Sequence, residues 1–465
     1  MSKNEATHPV IPVPGDHIPA TDQLQEQELK LFSKPVISWG LWDWGSAAFN
    51  AVVTTFVFST YITNAKLFGP DANTYLGWTL TVAGLLVAAV APALGHWVDR
   101  SGKSRTVLIT FTLMTALVVT GLFWVSPNEG RLWLGLFLLG AGNITFEISS
   151  VVYNSMINDI ASEKNVGRVS GFGWGLGYVG GIVLLLILFI GFISPEVGWF
   201  GVTSENGLNV RVAMLFAAAW LFLFSLPVFF TAKNKAPKKS DAHSSGIIGA
   251  YRDVFHSIKR IWNDDRSIVW FLISSAIYRD GLAGVFSFGA VLAAVAFDFS
   301  PSEVILFGVA ANVVAGIATI AFGYLDDKLG SRFVIIVSVS LLIAFGLIIF
   351  IFHNGAFGLT GKQIYWVFGM GLSIFVGPTQ AASRTYLARI APKGDEAELF
   401  GLYATTGRAV SFLAPFMYST AIVSAAMITG QAKDDVAYAG ILGVVFVLAL
   451  GLITFIPVKD PAKKQ

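Results

Sequence analysis

The chain has 465 residues, of which 54% are hydrophobic and only 13% are charged. Soluble domains carry about 25% charged residues, so this composition indicates a protein that lies mostly within a membrane. A net charge of +2 argues against nucleic acid as a partner. The sequence contains no cysteine, which excludes disulfides and thiol chemistry from any mechanism.

Twelve segments are apolar and long enough to cross the hydrocarbon core as helices, which takes roughly 20 residues each. Lone strands cannot take their place, because strand edges would leave backbone groups unsatisfied in lipid. We therefore predict an all-α membrane protein with twelve transmembrane helices. We place them at 36–63, 75–98, 106–125, 132–157, 168–193, 211–231, 267–297, 303–325, 333–352, 363–388, 399–422 and 436–457.

An internal repeat joins predicted helices 2 and 3 and again joins helices 8 and 9. The first copy reads GHWVDRSGKSR from Gly95 to Arg105, and the second reads GYLDDKLGSR from Gly323 to Arg332. Glycine, aspartate and glycine keep their relative positions, at 95, 99 and 102 and again at 323, 327 and 330. The repeat predicts two pseudo-symmetric six-helix bundles, an architecture typical of proteins that carry a solute across a bilayer.

The distribution of Lys and Arg predicts that both chain ends are cytoplasmic, because positive charge concentrates in cytoplasmic loops. Residues 1–34 contain no apolar core of a cleavable signal peptide, so we predict a disordered cytoplasmic tail there. The further divisions are a first bundle at 35–231, a basic cytoplasmic linker at 232–266, a second bundle at 267–458 and a cytoplasmic tail at 459–465. In this topology, the loops on the far side hold only Lys66, Arg131, Arg211, Lys362 and Lys433.

Charged residues inside the predicted spans are the main functional candidates. A charge at the centre of a bilayer costs at least about 2.5–3.5 kcal/mol, so each needs a partner or a water-filled cavity. Helices 3, 6, 9 and 12 carry none, which predicts that they face lipid while the others surround a cavity. The five charged residues are Asp43, Glu147, Arg279, Asp280 and Arg408.

Two interpretations of these five residues stay open. Three acids against two arginines leave one negative charge unmatched, and a proton or a bound cation is our hypothesis for filling that gap. The alternative is that the five residues form structural pairs that hold helices together.

Several polar and aromatic residues are candidates to line the same cavity. Asn50 shares a helix face with Asp43, and Asn143 lies one turn before Glu147. The remaining candidates are Trp174, Tyr178 and Gln380. Ordinary packing is an equal alternative for the two aromatic residues.

Two further arginines, Arg384 and Arg389, are predicted to lie nearer the cytoplasm than the cavity. We expect them either to join an inner gate with Asp159 or Glu398, or simply to set the topology as surface charges.

The repeat, the twelve spans and the central linker resemble the major facilitator superfamily. Its signature after helix 2 is Gly-x-x-x-Asp-Arg-x-Gly-Arg-Arg, which Gly95, Asp99, Arg100 and Arg105 match here. A glycine allows close helix approach, and Asp99 is placed to pair with Arg105 and to cap a neighbouring helix. In that family these contacts favour the outward-open state. The resemblance therefore implies conformational gating by Gly95, Asp99, Arg100, Arg105, Asp327 and Arg332.

A narrower resemblance, to the vacuole-effluxer-like branch of the superfamily, covers nearly the whole transmembrane chain. It is carried by WGLWDWGSAAF (39–49), YNSMINDIA (153–161), GRVSGFGWGLGYVGG (167–181), YRDG (278–281), GPTQAASRTYLARIAP (377–392) and ELFGLYATTGR (398–408). Fungal members of that branch are implicated in releasing amino acids from the vacuole. The chain departs from the branch at Trp42, Ser46, Arg279 and Arg408, beside the predicted cavity, which leaves the substrate open.

We therefore predict a secondary active transporter that moves a small polar solute by alternating access, with an amino acid as the substrate that the resemblance implies. Coupling to protons or to a monovalent cation stays open. The alternatives are a drug or metabolite exporter of the same fold and a non-transporting solute sensor. The sequence has no P-loop or catalytic arrangement, so we predict no enzyme, no metal and no cofactor. We expect a monomer in a bacterial cell membrane, with lipid and a small molecule as its partners.

Overall fold

The computed structural model describes residues 31–236, 259, 262–263, 265–433 and 435–459. Most of the predicted tail at 1–34, the predicted linker at 232–266 and the predicted tail at 459–465 lies outside these residues. The boundaries that we assigned to the two bundles from the sequence stay predictions.

Long helices dominate the described residues, and no continuous strand forms among them. Eleven of these helices are long and apolar enough to span a membrane. A twelfth, Gly361–Ile390, has 30 residues but a more polar sequence. Numbered α1 to α12 in chain order, the helices are Lys34–Ile62, Ala72–Ser101, Ser104–Gly121, Glu129–Ser155, Val166–Leu188, Leu208–Thr231, Arg266–Ala296, Pro301–Leu329, Ser331–Ile351, Gly361–Ile390, Glu396–Thr429 and Gly440–Phe455.

Two of these helices are irregular in their middle. In α1 the segment Ala48–Phe56 is a π-helix. The hydroxyls of Thr54 and Thr55 both donate to the carbonyl of Asn50 there, at 2.9 and 2.7 Å. The second irregular helix, α11, consists of Glu396–Val410 and Leu413–Thr429 with a break between them. Irregular turns of this kind are frequent at functional sites because they free backbone groups for other partners.

Short helical turns fill the connections between the long helices. They are Ala65–Phe68, Leu122–Trp124, Ile157–Ile160, Trp199–Gly201, Glu205–Gly207 and Ala437–Ala439, and the wide turn Phe189–Ile193 extends α5.

The twelve helices form two similar halves, α1 to α6 and α7 to α12, as the internal repeat predicts. The most extensive contacts between the halves are made by two helix pairs, since α2 packs along α11 and α5 packs along α8. The helices α3, α6, α9 and α12 expose large apolar side chains at the periphery, among them Leu117, Leu223, Ile351 and Ile453. The predicted all-α membrane fold of two six-helix bundles is confirmed, with outer helices suited to lipid.

The two halves touch at one end of the fold and diverge towards the other. We call the end that carries residues 99–104 and 327–331 the motif side, and the opposite end the open side. A Cβ added to Gly95 of α2 would collide with the backbone of Ala397 in α11. Further along α2, a Cβ on Gly84 would lie 3.8 Å from Cδ of Arg408, and one on Gly77 would meet no described atom within 4 Å.

The pair α5 and α8 widens in the same direction. A Cβ on Gly323 would lie 2.7 Å from the carbonyl oxygen of Gly167, and one on Gly316 would lie 3.4 Å from Cβ of Tyr178. Nearer the open side, a Cβ on Gly308 would meet no described atom within 4 Å. The structure is therefore closed on the motif side and open on the other.

Candidate functional site

A cavity of about 340 Å³ lies between the two halves. Seven of the ten residues that we predicted to bind substrate or couple its transport line this cavity: Asn50, Glu147, Trp174, Arg279, Asp280, Gln380 and Arg408. They come from α1, α4, α5, α7, α10 and α11, so both halves contribute. Asp43, Asn143 and Tyr178 are not among the lining residues.

The carboxylate of Glu147 in α4 forms an ion pair with the guanidinium of Arg408 in α11. The pair crosses from one half to the other at the cavity wall, and about a third of the Arg408 side chain and a quarter of the Glu147 side chain remain exposed. Both groups can therefore still be reached from the cavity. The sequence predicted both residues as cavity residues but did not predict that they bind each other.

Arg384 in α10 lies at the floor of the cavity, so the prediction that it is a surface charge is wrong, as is the prediction that it pairs with Asp159 or Glu398. Only 3% of the residue is exposed. Its guanidinium donates to Oδ2 of Asp43 at 3.2 Å and to Oδ1 of Asn154 at 3.1 Å. It also donates to the hydroxyl and the carbonyl of Ser170, at 3.0 and 2.6 Å.

All four of these acceptors belong to the other half, so a side chain of the second bundle is inserted into a polar socket of the first. The ring of Trp39 completes the socket, with its centroid 4.7 Å from Cζ of Arg384. The sequence offered one signal for this position, because Arg384 lies within the predicted span 363–388, four residues or ~6 Å from its end at 1.5 Å per residue.

Arg389, one turn further along α10, does not join Asp159 or Glu398 either. Its guanidinium donates to Asp326 at 2.5 Å, to Asp327 at 3.3 Å and to the hydroxyl of Ser331 at 2.6 Å. These partners belong to the same half, at the junction of α8 and α9. The prediction that Arg389 contributes to an inner gate through Asp159 or Glu398 is therefore wrong.

Our count from the sequence set three acids against two arginines and did not include Arg384. Three arginines at or beneath the cavity, Arg279, Arg384 and Arg408, now match the three carboxylates, so the argument from a charge deficit is wrong. Asp280 binds backbone rather than a cation, since Oδ2 accepts from the amide of Ala414 at 2.6 Å just after the break in α11. Arg279, its neighbour in sequence, stacks on the ring of Tyr403 at 3.8 Å and donates to the Tyr403 carbonyl at 3.3 Å.

The three candidates that do not line the cavity lie behind its wall. Asp43 is bound to Arg384 beneath the floor. The side-chain oxygen of Asn143 is buried and has no hydrogen-bond partner among the described residues. The ring of Tyr178 packs between those of Trp174 and Phe286, at 6.3 and 6.2 Å between centroids, so packing explains this tyrosine.

On the motif side, two aspartates of the internal repeat each cap a helix of the opposite half. Asp99 accepts from the amides of Ala397 and Glu398 at the start of α11, at 3.1 and 2.8 Å. Asp327 accepts from the amides of Gly167 and Arg168 at the start of α5, at 2.7 and 3.1 Å. Carboxylates favour helix N-termini because the free amides and the helix dipole attract negative charge. Both caps require the halves to be in contact on this side.

The arginines of the repeat bind within their own half. Arg105 at the start of α3 donates to the carbonyl of Phe229 at the end of α6, at 2.8 Å. Arg332 at the start of α9 donates to the carbonyls of Ile456 and Val458 after α12, at 3.1 and 2.7 Å. The expected ion pair between Asp99 and Arg105 does not form among the described residues. Arg100 lies in the last turn of α2.

Two further polar contacts close the motif side, and the sequence did not predict them. His96 in α2 binds Glu398 in α11 at 2.6 Å. Lys235, just after α6, binds Asp159 at 2.8 Å and Glu396 at 3.5 Å and so bridges the halves. Burial lowers the pKa of Lys235, but the carboxylates of Asp159 and Glu396 raise it more, so its pKa lies above its ordinary value.

Two six-helix halves around a polar cavity, with caps that exist only when one side is shut, define a membrane transporter of the major facilitator type. Solved structures agree on this fold. The proton:xylose symporter XylE, with bound 6-bromo-6-deoxy-D-glucose, matches with a TM-score of 0.66 and 12% identity, over 92% of this chain and 95% of that one. A bacterial homologue of the iron transporter ferroportin in an outward-facing state matches with a TM-score of 0.64 and 15% identity, over 91% and 98%.

The chain belongs to the family described as vacuole effluxer Atg22 like, whose profile matches residues 70–465. The uncharacterized MFS-type transporter YxiO of Bacillus subtilis (strain 168) is 25% identical over 437 residues, which cover 92% of this chain and 96% of that protein. Autophagy-related protein 22 of Kluyveromyces lactis is 22% identical over 382 residues, covering 75% and 73%. The resemblance found from the sequence is confirmed.

Proposed function

We propose that this transporter carries a small zwitterionic solute, of the amino-acid class, in the cavity between its halves. The observation that carries the proposal is the mixed lining of that cavity, which holds Glu147 and Asp280 together with Arg279 and Arg408. A zwitterion satisfies both signs at once: an arginine takes its carboxylate, and Glu147 or Asp280 takes its ammonium group. A volume of about 340 Å³ suits a small solute.

Coupling to protons is the second part of the proposal. Asp43 and Glu147 are the two carboxylates that form ion pairs with an arginine of the other half in this region. Protonation of either would remove an attraction between the halves, so proton binding would favour separation of the two bundles beneath or beside the cavity.

We further propose that the motif side faces the cytoplasm of a bacterial cell, in the plasma membrane, and that the monomer is the functional unit. The concentration of Lys and Arg in the loops on that side supports this orientation. With this topology the structure is outward-open, and the caps by Asp99 and Asp327 hold the cytoplasmic side shut.

The test is uptake of radiolabelled amino acids into proteoliposomes, with and without an imposed pH gradient. Arg408→Ala leaves Glu147 uncompensated, and Asp43→Asn weakens the pair below the cavity, so each should reduce the initial rate at least about tenfold. Lys362→Ala is the matched control, because Lys362 pairs with Glu303 at 2.7 Å and lies outside the cavity lining. Wild-type rates in both cavity variants would refute the proposed site, and transport that ignores pH and uncouplers would refute proton coupling.

A further inference from the structure

The three arginines at the cavity differ in what already binds them. Arg408 is paired with Glu147, and Arg384 is paired with Asp43. Arg279 forms no ion pair with any carboxylate among the described residues. A solute carboxylate that approached either of the first two would have to displace a carboxylate that the protein already provides.

The surroundings of Arg279 leave its guanidinium available to an acceptor. Its hydrogen bond to the carbonyl of Tyr403 is long, at 3.3 Å. Its Nε is buried and has no hydrogen-bond partner among the described residues. On the side of α11, Gly407 presents no side chain, and a Cβ there would lie 3.3 Å from one of the terminal guanidinium nitrogens.

The ring of Tyr403 fixes the orientation of this guanidinium. The ring centroid lies 3.8 Å from Cζ of Arg279, so the plane of the guanidinium is supported on one face without losing its charge. A guanidinium held in this way offers two parallel N–H donors, which match the two oxygens of a carboxylate. An ammonium group in its place would not provide that fork.

We propose that Arg279 is the anion subsite of the cavity and binds the carboxylate of the transported solute. This inference rests on the proposed function, because it takes the solute to carry a carboxylate beside an amine. Glu147, a quarter of whose side chain is exposed, is then the acceptor for the ammonium group. The cavity therefore selects amino acids over the amines that lack their carboxylate.

The experiment measures the affinity of the purified full-length chain for matched ligands by isothermal titration calorimetry. The ligand pairs are L-leucine with 3-methylbutylamine, L-alanine with ethylamine, and glycine with methylamine. The wild type should bind at least one amino acid about ten- to a hundredfold more tightly than its amine, as expected for loss of a charge-assisted hydrogen bond. Arg279→Gln and Arg279→Lys should both reduce this preference to less than about threefold.

Arg211 provides a matched control elsewhere in the fold. It also stacks on an aromatic ring, that of Phe123 at 4.9 Å, and donates to the carbonyl of the same residue at 2.5 Å, but it does not line the cavity. Arg211→Lys should keep the preference for the carboxylate.

The possible failures separate the two proposals. A preference that survives in both Arg279 variants would overturn the subsite while leaving the transported class intact. Equal binding of an amino acid and its amine by the wild type would overturn the subsite together with the recognition of a zwitterion. Failure of every amino acid to bind the wild type would overturn the proposed class of solute, and the subsite with it. The melting temperatures of the ligand-free variants distinguish a lost contact from a lost fold.

Discussion

Arg384 of α10 donates to the carboxylate of Asp43 in α1, at 3.2 Å, and this bond passes from one half of the transporter to the other directly beneath the cavity. The two residues are separated by 341 positions in the sequence. The same guanidinium binds the backbone of Ser170 in α5. Because it also donates to Asn154 of α4, one side chain holds three helices of the first half against α10 of the second.

We predict that Arg384→Gln opens the motif side. The substitution leaves Asp43 uncompensated and removes charged hydrogen bonds between the halves, a change that typically costs about 3–5 kcal/mol when the pair is buried. Because the chain has no native cysteine, spin labels can be attached at Lys164→Cys and Lys328→Cys without altering other residues. Both positions are exposed and lie on the motif side in opposite halves.

Pulsed double electron–electron resonance should show the distance between these labels lengthening in Arg384→Gln. A label pair within one half, Lys103→Cys with Lys164→Cys, should keep its distance. Asp43→Asn combined with Arg384→Gln should be less disruptive than Arg384→Gln alone, because no charge is left unpaired. An unchanged distance in the single variant would show that Arg384 does not hold the halves together.

The two caps on the motif side should contribute unequally. Asp99→Asn removes the negative charge that caps α11. Loss of such a charge at a helix N-terminus typically reduces the stability of the contact by about 1 kcal/mol. Asp327→Asn should have a larger effect, because Asp327 also pairs with the side chain of Arg168 at 2.7 Å. We expect both variants to shift the Lys164→Cys and Lys328→Cys distance distribution towards longer values, with the larger shift for Asp327→Asn. Equal or reversed shifts would contradict this ranking.

Gly173 in α5 should tolerate no side chain. A Cβ at this position would lie 2.6 Å from the ring of Trp39 and 2.7 Å from Oδ2 of Asp43, so Gly173→Ala would disturb the socket of Arg384. Overpacking of this kind typically costs about 1–3 kcal/mol. Gly77→Ala is the control, since a Cβ on Gly77 meets no described atom within 4 Å and alanine favours the helix by up to about 1 kcal/mol. Thermal unfolding in detergent should show a lower melting temperature for the first variant only.

Lys235 should stabilise the closed motif side across the ordinary pH range. Its pKa is raised above the ordinary value of 10.5, because nearby carboxylates outweigh the effect of burial. A raised pKa means that its contribution is fully present below pH 10.5 and is lost only as the pH rises through the higher folded value. The difference in melting temperature between wild type and Lys235→Gln should therefore be at least as large at pH 9 as at pH 6. A difference that shrinks markedly by pH 9 would contradict the bridge.

The sequence predicted the spans well, because they depend on local composition. It also predicted two similar halves, because the repeat keeps matching spacing. The caps by Asp99 and Asp327 follow from the repeat once helices of opposite halves are brought together. The sequence did not predict which charged side chains pair with each other inside the fold. Arg384 looked like a residue near the helix end, and only the packing of α10 against α1 and α5 shows that it is buried.

The same reason explains the wrong expectation for Asp99 and Arg105. They are close in sequence and opposite in charge, which made a local ion pair the simplest prediction. In the structure each finds a stronger set of partners at a helix end: free amides for the carboxylate of Asp99, and the free carbonyl of Phe229 for Arg105. Such ends are created by the tertiary fold and cannot be located from residue spacing alone.

We propose that the two halves rock against each other, so that closing one side opens the other. Distances at both ends of the α2 and α11 pair, measured in one protein background, test this motion. Labels at Lys103→Cys and Lys393→Cys report the motif side, and labels at Thr74→Cys and Gln431→Cys report the open side; all four positions are exposed. In Arg384→Gln, we expect the motif-side distance to lengthen while the open-side distance shortens. Both distances changing in the same direction, or an open side that stays unchanged while the motif side opens, would contradict it.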